Sequence, residues 1–283
     1  MRLNMTGIPS PIKRIGDYTV TAISDGYLPA SLDLLLNVDH HEASELQQRG
    51  GLNDQSPMHI NSYLVRGTGH SVLVDAGAGG IKHWGGHLTA GLPLAGVRPS
   101  DIDTILLTHA HPDHVGGLLD GSGHVVFPNA ELLIHQREVA FWQDDGNLAR
   151  ANERARGNFR IARRALDAYA DRLRTFEEGE VLPGISAAPL PGHTDGHTGY
   201  LVNSEDQGVF FWGDTVHFPA VQVARPDASV TLDNDPVRAA DTRSQVLEIV
   251  STEHLLVAGP HLNDRGFARV ERSTTGYSIT NEG

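Results

Sequence analysis

Short apolar runs separated by polar turns recur along the chain, and their spacing predicts strands near the N-terminus. Residues 18–23 alternate between apolar and polar positions as a half-buried strand does. Two β-rich runs follow at residues 60–65 and 71–74, and the glycine-containing residues 67–69 between them predict a hairpin turn. The first part of the chain is therefore predicted to be mainly β-structure.

From residue 101 onward the pattern predicts strands that alternate with helices. Short apolar runs predict strands at residues 104–107, 125–127 and 131–134. Content of Ala, Arg and Leu and helical periodicity predict helices at residues 137–143 and 148–172. This alternation is typical of α/β proteins.

The second half of the chain repeats the alternation. Strands are predicted at residues 185–190, 199–202, 209–212 and 254–257. Asp235-Pro236 is a helix start, with an N-cap residue followed by proline at the first helical position. Because no linker rich in Pro, Gly or Ser divides the sequence, we expect a single domain over residues 1–283 with two similar halves.

Charge and composition narrow the functional classes. The formal net charge is -13, from 22 basic and 35 acidic side chains, which disfavours a nucleic-acid partner because that role needs clustered cations. Cysteine is absent, so a metal site would have to use His, Asp and Glu. Residues 1–18 lack the apolar run of a signal peptide and no stretch has membrane-spanning length, so we expect a cytoplasmic protein without a membrane partner.

One short segment concentrates ligand-capable side chains. His109 and His111 are two residues apart, so in extended backbone both side chains point the same way and can grip one ion. Pro112 turns the chain, which lets Asp113 and His114 face a second ion. The segment predicts a site for zinc or a similar divalent ion.

This segment resembles the H-x-H-x-D-H signature of the metallo-β-lactamase superfamily, and further elements follow in the family's order. They are Gly192-His193-Thr194-Asp195-Gly196-His197, which is similar to G-H-T-P-G-H with Asp195 in place of proline, then Gly213-Asp214-Thr215, and finally His261. Val74-Asp75-Ala76-Gly77 is similar to the strand and turn before the signature. The resemblance covers residues 18–261. It implies an αββα sandwich, in which two mixed sheets pack face to face with helices outside.

Other stretches are most similar to the methyl parathion hydrolase group and its lactonase relatives. They are Ser24-Asp25-Gly26, His111-Pro112-Asp113-His114-Val115-Gly116-Gly117, Phe141-Trp142 and Ala258-Gly259-Pro260-His261-Leu262.

The resemblance also implies a ligand set for two divalent ions, for which we expect zinc, with manganese, iron or cobalt as alternatives. His109, His111 and His193 would bind the first ion, Asp113, His114 and His261 the second, and Asp214 would bridge them. His197 is assigned a supporting role. Asp75 is expected to orient a ligand imidazole through its other nitrogen.

The predicted reaction is hydrolysis of a small ester-like substrate, a lactone or an aryl ester, with organophosphate triesters as a side activity. A hydroxide shared by the two ions would be the nucleophile, and Asp113 and Asp214 are the candidate catalytic residues. A glyoxalase II-like thioesterase, a mononuclear-iron persulfide dioxygenase and a non-catalytic metal-stabilised binding protein remain as alternatives. Since redox-active flavodiiron relatives carry Glu at the position of His111, hydrolysis is favoured over oxygen reduction.

Two further expectations concern substrate contacts and assembly. The aromatic residues Tyr27, Phe141, Trp142 and Phe218 lie close to the motif loops and are hypothesised to form an apolar substrate pocket. The polar stretch of residues 37–57 is interpreted as an excursion near the site or as the contact of a homodimer.

Overall fold

Two seven-stranded mixed sheets form the centre of the computed structural model, which describes residues 10–274 and 276–282. Much of the N-terminal segment considered above for a signal peptide lies outside the described residues. The strands are β1 (Ile12–Ile15), β2 (Tyr18–Leu28), β3 (Leu35–Leu36), β4 (Met58–Gly67), β5 (His70–Val74), β6 (Thr104–Leu106), β7 (Glu131–His135), β8 (Leu173–Phe176), β9 (Gly179–Leu182), β10 (Ile185–Pro189), β11 (Thr198–Ser204), β12 (Gln207–Phe211), β13 (Ser229–Val230), β14 (Leu256–Ala258), β15 (Phe267–Ser273) and β16 (Gly276–Glu282).

Strand order divides each sheet into antiparallel and parallel parts. The first sheet has the order β1-β2-β4-β5-β6-β7-β8, antiparallel up to β5 and parallel from β5 to β8. The second has the order β16-β15-β14-β12-β11-β10-β9, in which only the β12–β14 pair is parallel. Strands β3 and β13 form a separate small sheet.

The helices are α1 (His40–Arg49), α2 (Leu88–Gly91), α3 (Pro112–Val115), α4 (Gln136–Gln143), α5 (Asp145–Arg150), α6 (Glu153–Ala168), α7 (Pro219–Gln222) and α8 (Pro236–Thr252). The two longest, α6 and α8, pack on the outer faces of the first and the second sheet. Within the described part of the chain, none of them has both the length and the apolar character needed to cross a bilayer.

Alternation along the strands explains the layers. On β4, Tyr63 and Val65 enter a core between the two sheets, whereas Leu64 points to the opposite face and packs in a second core with α6. A third core lies between the second sheet and α8, where Phe210 and Val257 meet Val250. Helix, sheet, sheet and helix layers follow from this period-two burial, as the αββα expectation requires.

Two predicted elements are wrong. The helix predicted at residues 148–172 is interrupted because the Asn152 side chain accepts a hydrogen bond from the Ala155 backbone N–H and so caps a new helix, α6. Residues 125–127 form no strand, only an isolated bridge between Leu119 and Val125, because a turn and Pro128 leave no room for a ladder.

The polar excursion at residues 37–57 contains a helix that the sequence pattern did not reveal. Asp39 caps α1 through the Glu42 N–H, and only Ala43 and Gln47 of this helix are buried. A helix that is polar on almost all sides gives little periodic signal.

Candidate metal centre

Four segments at one edge of the two sheets carry the seven side chains that the sequence predicts as ligands. These segments follow strands β6, β10, β12 and β14. They bring together His109, His111, Asp113 and His114 from the first segment, and His193, Asp214 and His261 from the other three.

Backbone packing fixes the first segment. Pro112 begins α3, so Asp113 and His114 lie in its first turn. Gly117 follows at a point where an added Cβ would lie 2.0 Å from the Ala76 carbonyl oxygen. Only glycine allows the segment to approach the loop after β5 this closely.

The first cluster consists of His109, His111, His193 and Asp214, whose ligand atoms lie within 4.8 Å of one another. His111 Nδ1 is 2.9 Å from His109 Nε2 and also 2.9 Å from His193 Nε2. A ring nitrogen carries one hydrogen or one lone pair, so it cannot make a full hydrogen bond to both neighbours. Three imidazole nitrogens converging in this way are typical of ligands of a shared cation.

The second cluster consists of Asp113, His114, Asp214 and His261. His114 Nε2 lies 3.6 Å from Asp113 Oδ2, and His261 Nε2 lies 3.8 Å from the same oxygen. Ligands held at about 2.0–2.2 Å by one zinc ion lie roughly 3.3 Å apart, so the separations in both clusters fit a divalent ion.

Asp214 is shared between the clusters, and its two oxygens face different sides. Its Oδ2 is 3.3 Å from His193 Nε2 and 3.7 Å from His109 Nε2. Its Oδ1 is 3.2 Å from His114 Nε2 and 3.3 Å from His261 Nε2. Neither His114 Nε2 nor Asp214 Oδ1, both buried, has a hydrogen-bond partner in the described structure.

Partners outside the clusters determine which nitrogen of each imidazole faces inward. His114 Nδ1 lies 2.8 Å from Asp75 Oδ2, His193 Nδ1 lies 2.8 Å from Asp233 Oδ1, and His261 Nδ1 lies 2.8 Å from the His59 carbonyl oxygen. With each Nδ1–H donating to its partner, a neutral imidazole at each of these positions presents the lone pair of its Nε2 to the carboxylate of Asp214. A lone pair and a carboxylate oxygen repel unless a positive charge, on a metal ion or on a proton of the imidazole, lies between them.

The effects of burial and charge on the imidazoles also fit a metal site. Burial, together with the neighbouring imidazoles, holds the pKa of His109 and of His111 well below the usual range, so both remain neutral and able to bind a metal. Burial opposes charge on His114 too, but the carboxylates of Asp214, Asp75 and Asp113 outweigh it and raise the pKa of that imidazole. The site therefore demands positive charge, and His/Asp clusters of this kind fit metal ions.

His197 contacts Asp214 instead of joining a cluster. Its Nδ1–H donates to the Leu190 carbonyl oxygen at 2.9 Å, and its Nε2 accepts from the Asp214 backbone N–H at 2.9 Å. Burial and the nearby His193 lower the pKa of His197 to about 3, so the acceptor lone pair is retained. These contacts hold the Asp214 backbone in place.

Sequence reasoning missed three residues of the site. His217 is buried, its Nε2 lies 3.1 Å from Asp214 Oδ2, and its ring stacks on His261 with centroids 5.3 Å apart. Asp233 supports His193, and the buried carboxylate of Glu138 contacts both histidine-bearing loops. His217 lies three residues after Asp214, a proximity that was visible in the sequence, whereas Asp233 and Glu138 gave no spacing signal.

A cavity of about 280 Å³ opens over the two clusters. Phe141 and Trp142 line it together with ligand residues, and the Trp142 ring meets the His111 ring edge-on with centroids 5.6 Å apart. Tyr27 and Phe218 lie elsewhere. Tyr27 packs against His59, and Phe218 lines a larger neighbouring cavity of about 530 Å³.

Comparison with known proteins gives a family and several relatives. The sequence profile of the metallo-beta-lactamase superfamily matches residues 56–261. The uncharacterized protein YobT of Bacillus subtilis is 32% identical over 142 residues, which are 50% of this chain and 56% of YobT. The chain spans about half, or less, of the length of the curated relatives that it matches first.

Two solved structures are similar over nearly their whole length. The hydrolase AbOPH of the β-lactamase superfamily has a TM-score of 0.92 and 27% identity, covering 98% of this chain and 99% of AbOPH. AidC, described as a dizinc quorum-quenching lactonase in complex with the product N-hexanoyl-L-homoserine, has a TM-score of 0.88 and 26% identity, covering 97% and 98% of the two chains. The profile match, the αββα layers and the paired His/Asp clusters show that the chain belongs to the metallo-beta-lactamase superfamily and resembles its metal-dependent hydrolases.

Proposed function

We propose that the protein is a dinuclear metal-dependent hydrolase that acts on small lactones or aryl esters. The observation that carries the proposal is the Asp214 carboxylate, whose two oxygens face two separate groups of imidazole nitrogens. A carboxylate in this position can bridge two ions. His109, His111 and His193 would hold one ion, and Asp113, His114 and His261 the other.

Two divalent ions, most simply zinc, would supply an activated water and polarise the electrophilic oxygen of the substrate. The chain's own residues prepare the site for this chemistry. Asp75, Asp233 and the His59 carbonyl keep the ring nitrogens of three imidazoles directed inward. Burial keeps competing water away from His109 and His114, which are both 0% exposed.

Asp113 has a second role in this proposal. Its side chain is 12% exposed, whereas the other carboxylate of the clusters, Asp214, is 3% exposed, and both line the cavity. From this position Asp113 can hold the attacking group in line with the substrate and pass a proton to the leaving alcohol. Asp113 and Asp214 are thus the proposed catalytic residues.

The cavity supports the proposed substrate class. Its volume of about 280 Å³ suits a small molecule, and Phe141 and Trp142 provide an apolar wall beside His111. A lactone or aryl ester has one electrophilic carbonyl for the site and an apolar group for this wall. The likeness to AidC favours a lactone. Phosphotriesters, whose phosphoryl oxygen could take the place of the carbonyl oxygen, are expected only as slow substrates.

Metal analysis combined with a substrate panel tests the proposal. Metal content is measured on the protein as purified, and the zinc-loaded protein is then assayed with an acyl-homoserine lactone, an aryl ester, a phosphotriester, a β-lactam and a glutathione thioester, with Asp214→Ala as the inactive control. Two ions per chain and fastest turnover of the lactone or aryl ester are expected. Fastest turnover of the thioester would identify a glyoxalase II-like enzyme. A single iron per chain with persulfide oxidation would identify a dioxygenase.

A further inference from the structure

Glu138, near the start of α4, has a carboxylate that is completely buried yet faces no cation in the described structure. Four donors surround it. Its Oε2 accepts hydrogen bonds from the Ala110 backbone N–H at 3.1 Å and from the Trp142 indole N–H at 2.8 Å. Its Oε1 accepts from the Gly196 backbone N–H at 3.2 Å and from the Thr194 hydroxyl. A buried charge of this kind is tolerated only because every oxygen is hydrogen-bonded.

Three of the four donors belong to the two loops that carry the first cluster, and the fourth, Trp142, lies on α4 with Glu138 itself. Ala110 lies between His109 and His111, and Thr194 directly follows His193. One oxygen of Glu138 therefore holds one loop, and the other oxygen holds the second. The two loops are adjacent at the cluster itself, where His111 Nδ1 lies 2.9 Å from His193 Nε2.

Close backbone packing makes this connection rigid. An added Cβ at Gly196 would lie 2.5 Å from the Glu138 backbone nitrogen. The loop after β10 therefore rests directly on the first turn of α4. Because the packing leaves no free space here, a movement of the Glu138 side chain must also move one of the two loops.

The second cluster is held by other groups. His114 is oriented by Asp75, which also accepts from the Thr108 backbone N–H at 2.9 Å, and His261 is oriented by the His59 carbonyl. Neither His114 nor His261 contacts Glu138. The Thr108 hydroxyl, which donates to Asp75, lies 3.1 Å from His109 Nδ1 and 3.3 Å from His114 Nδ1, so Asp75 reaches both clusters, whereas the contacts of Glu138 lie beside His109, His111 and His193 of the first.

We propose that Glu138 is a positioning residue that sets the spacing of the His109, His111 and His193 side chains, and so controls the affinity of the first ion selectively. Through Trp142 the same carboxylate fixes the cavity wall next to His111. This inference rests on the dinuclear site proposed above. It assigns to Glu138 no contact with substrate or metal.

Glu138→Gln tests the proposal because it keeps the shape and removes one acceptor. The amide NH₂ must face either Trp142 and Ala110 or Thr194 and Gly196, and in each case it meets a backbone N–H. We expect the first ion to bind about 10- to 100-fold more weakly, the range typical for loss of a group that supports a metal ligand, with the second ion unchanged. Thr194→Val, which removes a single donor and threatens the fold less, should show a smaller loss at the same ion.

The measurement is the ion content per chain during titration with a competing chelator, together with the absorption spectrum of the cobalt-substituted protein. Asp25→Asn is the matched control. Asp25 is also 0% exposed and accepts from the backbone N–H groups of Ala78 and Leu88 at 2.8 Å each, but it contacts no proposed ligand loop. We expect it to lower the unfolding temperature while both ions and the cobalt spectrum remain as in the wild type.

The outcomes separate the two proposals. A wild-type protein that binds two ions, with a Glu138→Gln variant of unchanged affinity for both, overturns the role of Glu138 and leaves the proposed function standing. The same holds if Glu138→Gln and Asp25→Asn weaken both ions alike, since that would be general destabilisation. A wild-type protein that binds fewer than two ions overturns the proposed function and this inference with it.

Discussion

Asp214 is the residue on which the proposed chemistry depends most, because each of its carboxylate oxygens belongs to a different cluster. Replacing it with Ala removes a ligand from both groups and removes the carboxylate that five imidazoles, including that of His217, face. His109, by contrast, belongs only to the first cluster. The two positions therefore predict different patterns of ion loss.

We expect Asp214→Ala to lose both ions and all measurable turnover, and His109→Ala to lose one ion first and turnover with it. Metal content after dialysis, measured beside initial rates, distinguishes the two patterns. Arg265→Ala, a substitution at the surface, serves as the control and should retain both ions. Full activity of either ligand variant after chelation would contradict the assignment.

Asp233 is not a proposed ligand itself but contacts the proposed ligand His193, and this contact gives a prediction. Its Oδ1 lies 2.8 Å from His193 Nδ1, and His193 and other groups lower the pKa of Asp233 against the effect of its burial. Asp233→Asn should weaken binding of the first ion by about 10- to 100-fold. Asp227→Asn, on the surface beside Arg225, is the control. Equal ion affinities in the two variants would exclude the role of Asp233.

Trp142 packs in the core and is proposed to contact the substrate, so its test needs two substitutions. It is 3% exposed, packs in the core with Phe159, and donates to Glu138. Trp142→Ala should destabilise the fold by about 3–5 kcal/mol through the cavity left behind. Trp142→Phe keeps most of the volume, and we expect it to raise KM for aryl esters and acyl lactones. An unchanged KM in the folded Phe variant would remove Trp142 from the pocket.

At the scale of elements, the break between α5 and α6 shows how one side chain redirects the chain. The Asn152 side chain accepts from the Ala155 N–H and starts α6 in a new direction, with Phe159, Ala162 and Ala165 facing the core. Asn152→Ala should lower stability by about 1 kcal/mol, the usual value of an N-cap. Asn152→Ser, which keeps an acceptor oxygen, should remain close to the wild type in thermal unfolding. Equal unfolding temperatures for all three proteins would show that the cap contributes nothing.

The elements that sequence reasoning predicted well have a strong local signal. Strands β4 and β12 follow from short β-rich runs, and helix α8 follows from the Asp235-Pro236 start. The hairpin of β15 and β16 was not predicted, because β16 is mostly polar and therefore shows little alternation of apolar and polar positions. The single long helix failed because capping by Asn152 competes locally with periodicity.

The seven candidate ligands could be predicted because they lie in compact motifs with fixed spacing. The structure brings these side chains together. Glu138 lies 28 residues from Ala110 and 58 from Gly196, so its contacts exist only in the folded chain. The aromatic residues were chosen by nearness in sequence, which identified Phe141 and Trp142 on the cavity wall but not the different positions of Tyr27 and Phe218.

At the scale of the whole molecule, the two clusters join segments from both sheets. His109 and His114 follow β6 of the first sheet, whereas His193, Asp214 and His261 follow β10, β12 and β14 of the second. The imidazoles and carboxylates that face one another here are stabilised by positive charge, which bound metal ions would supply. The sheets are also held together by their own apolar core, which includes Tyr63, Phe211 and Phe267.

We therefore expect the ion-free protein to stay folded but to unfold at a lower temperature than the loaded protein. Each ion that binds only the folded chain adds about 2.7 kcal/mol when its free concentration is about 100 times its Kd. Calorimetry of the chelated and zinc-loaded protein measures the difference, and the Asp214→Ala variant is the control, since zinc should hardly shift its unfolding temperature. The apolar core predicts that circular dichroism of the chelated protein retains the native secondary structure. Complete unfolding on chelation would mean that the ions, rather than the core between the sheets, hold the two halves together.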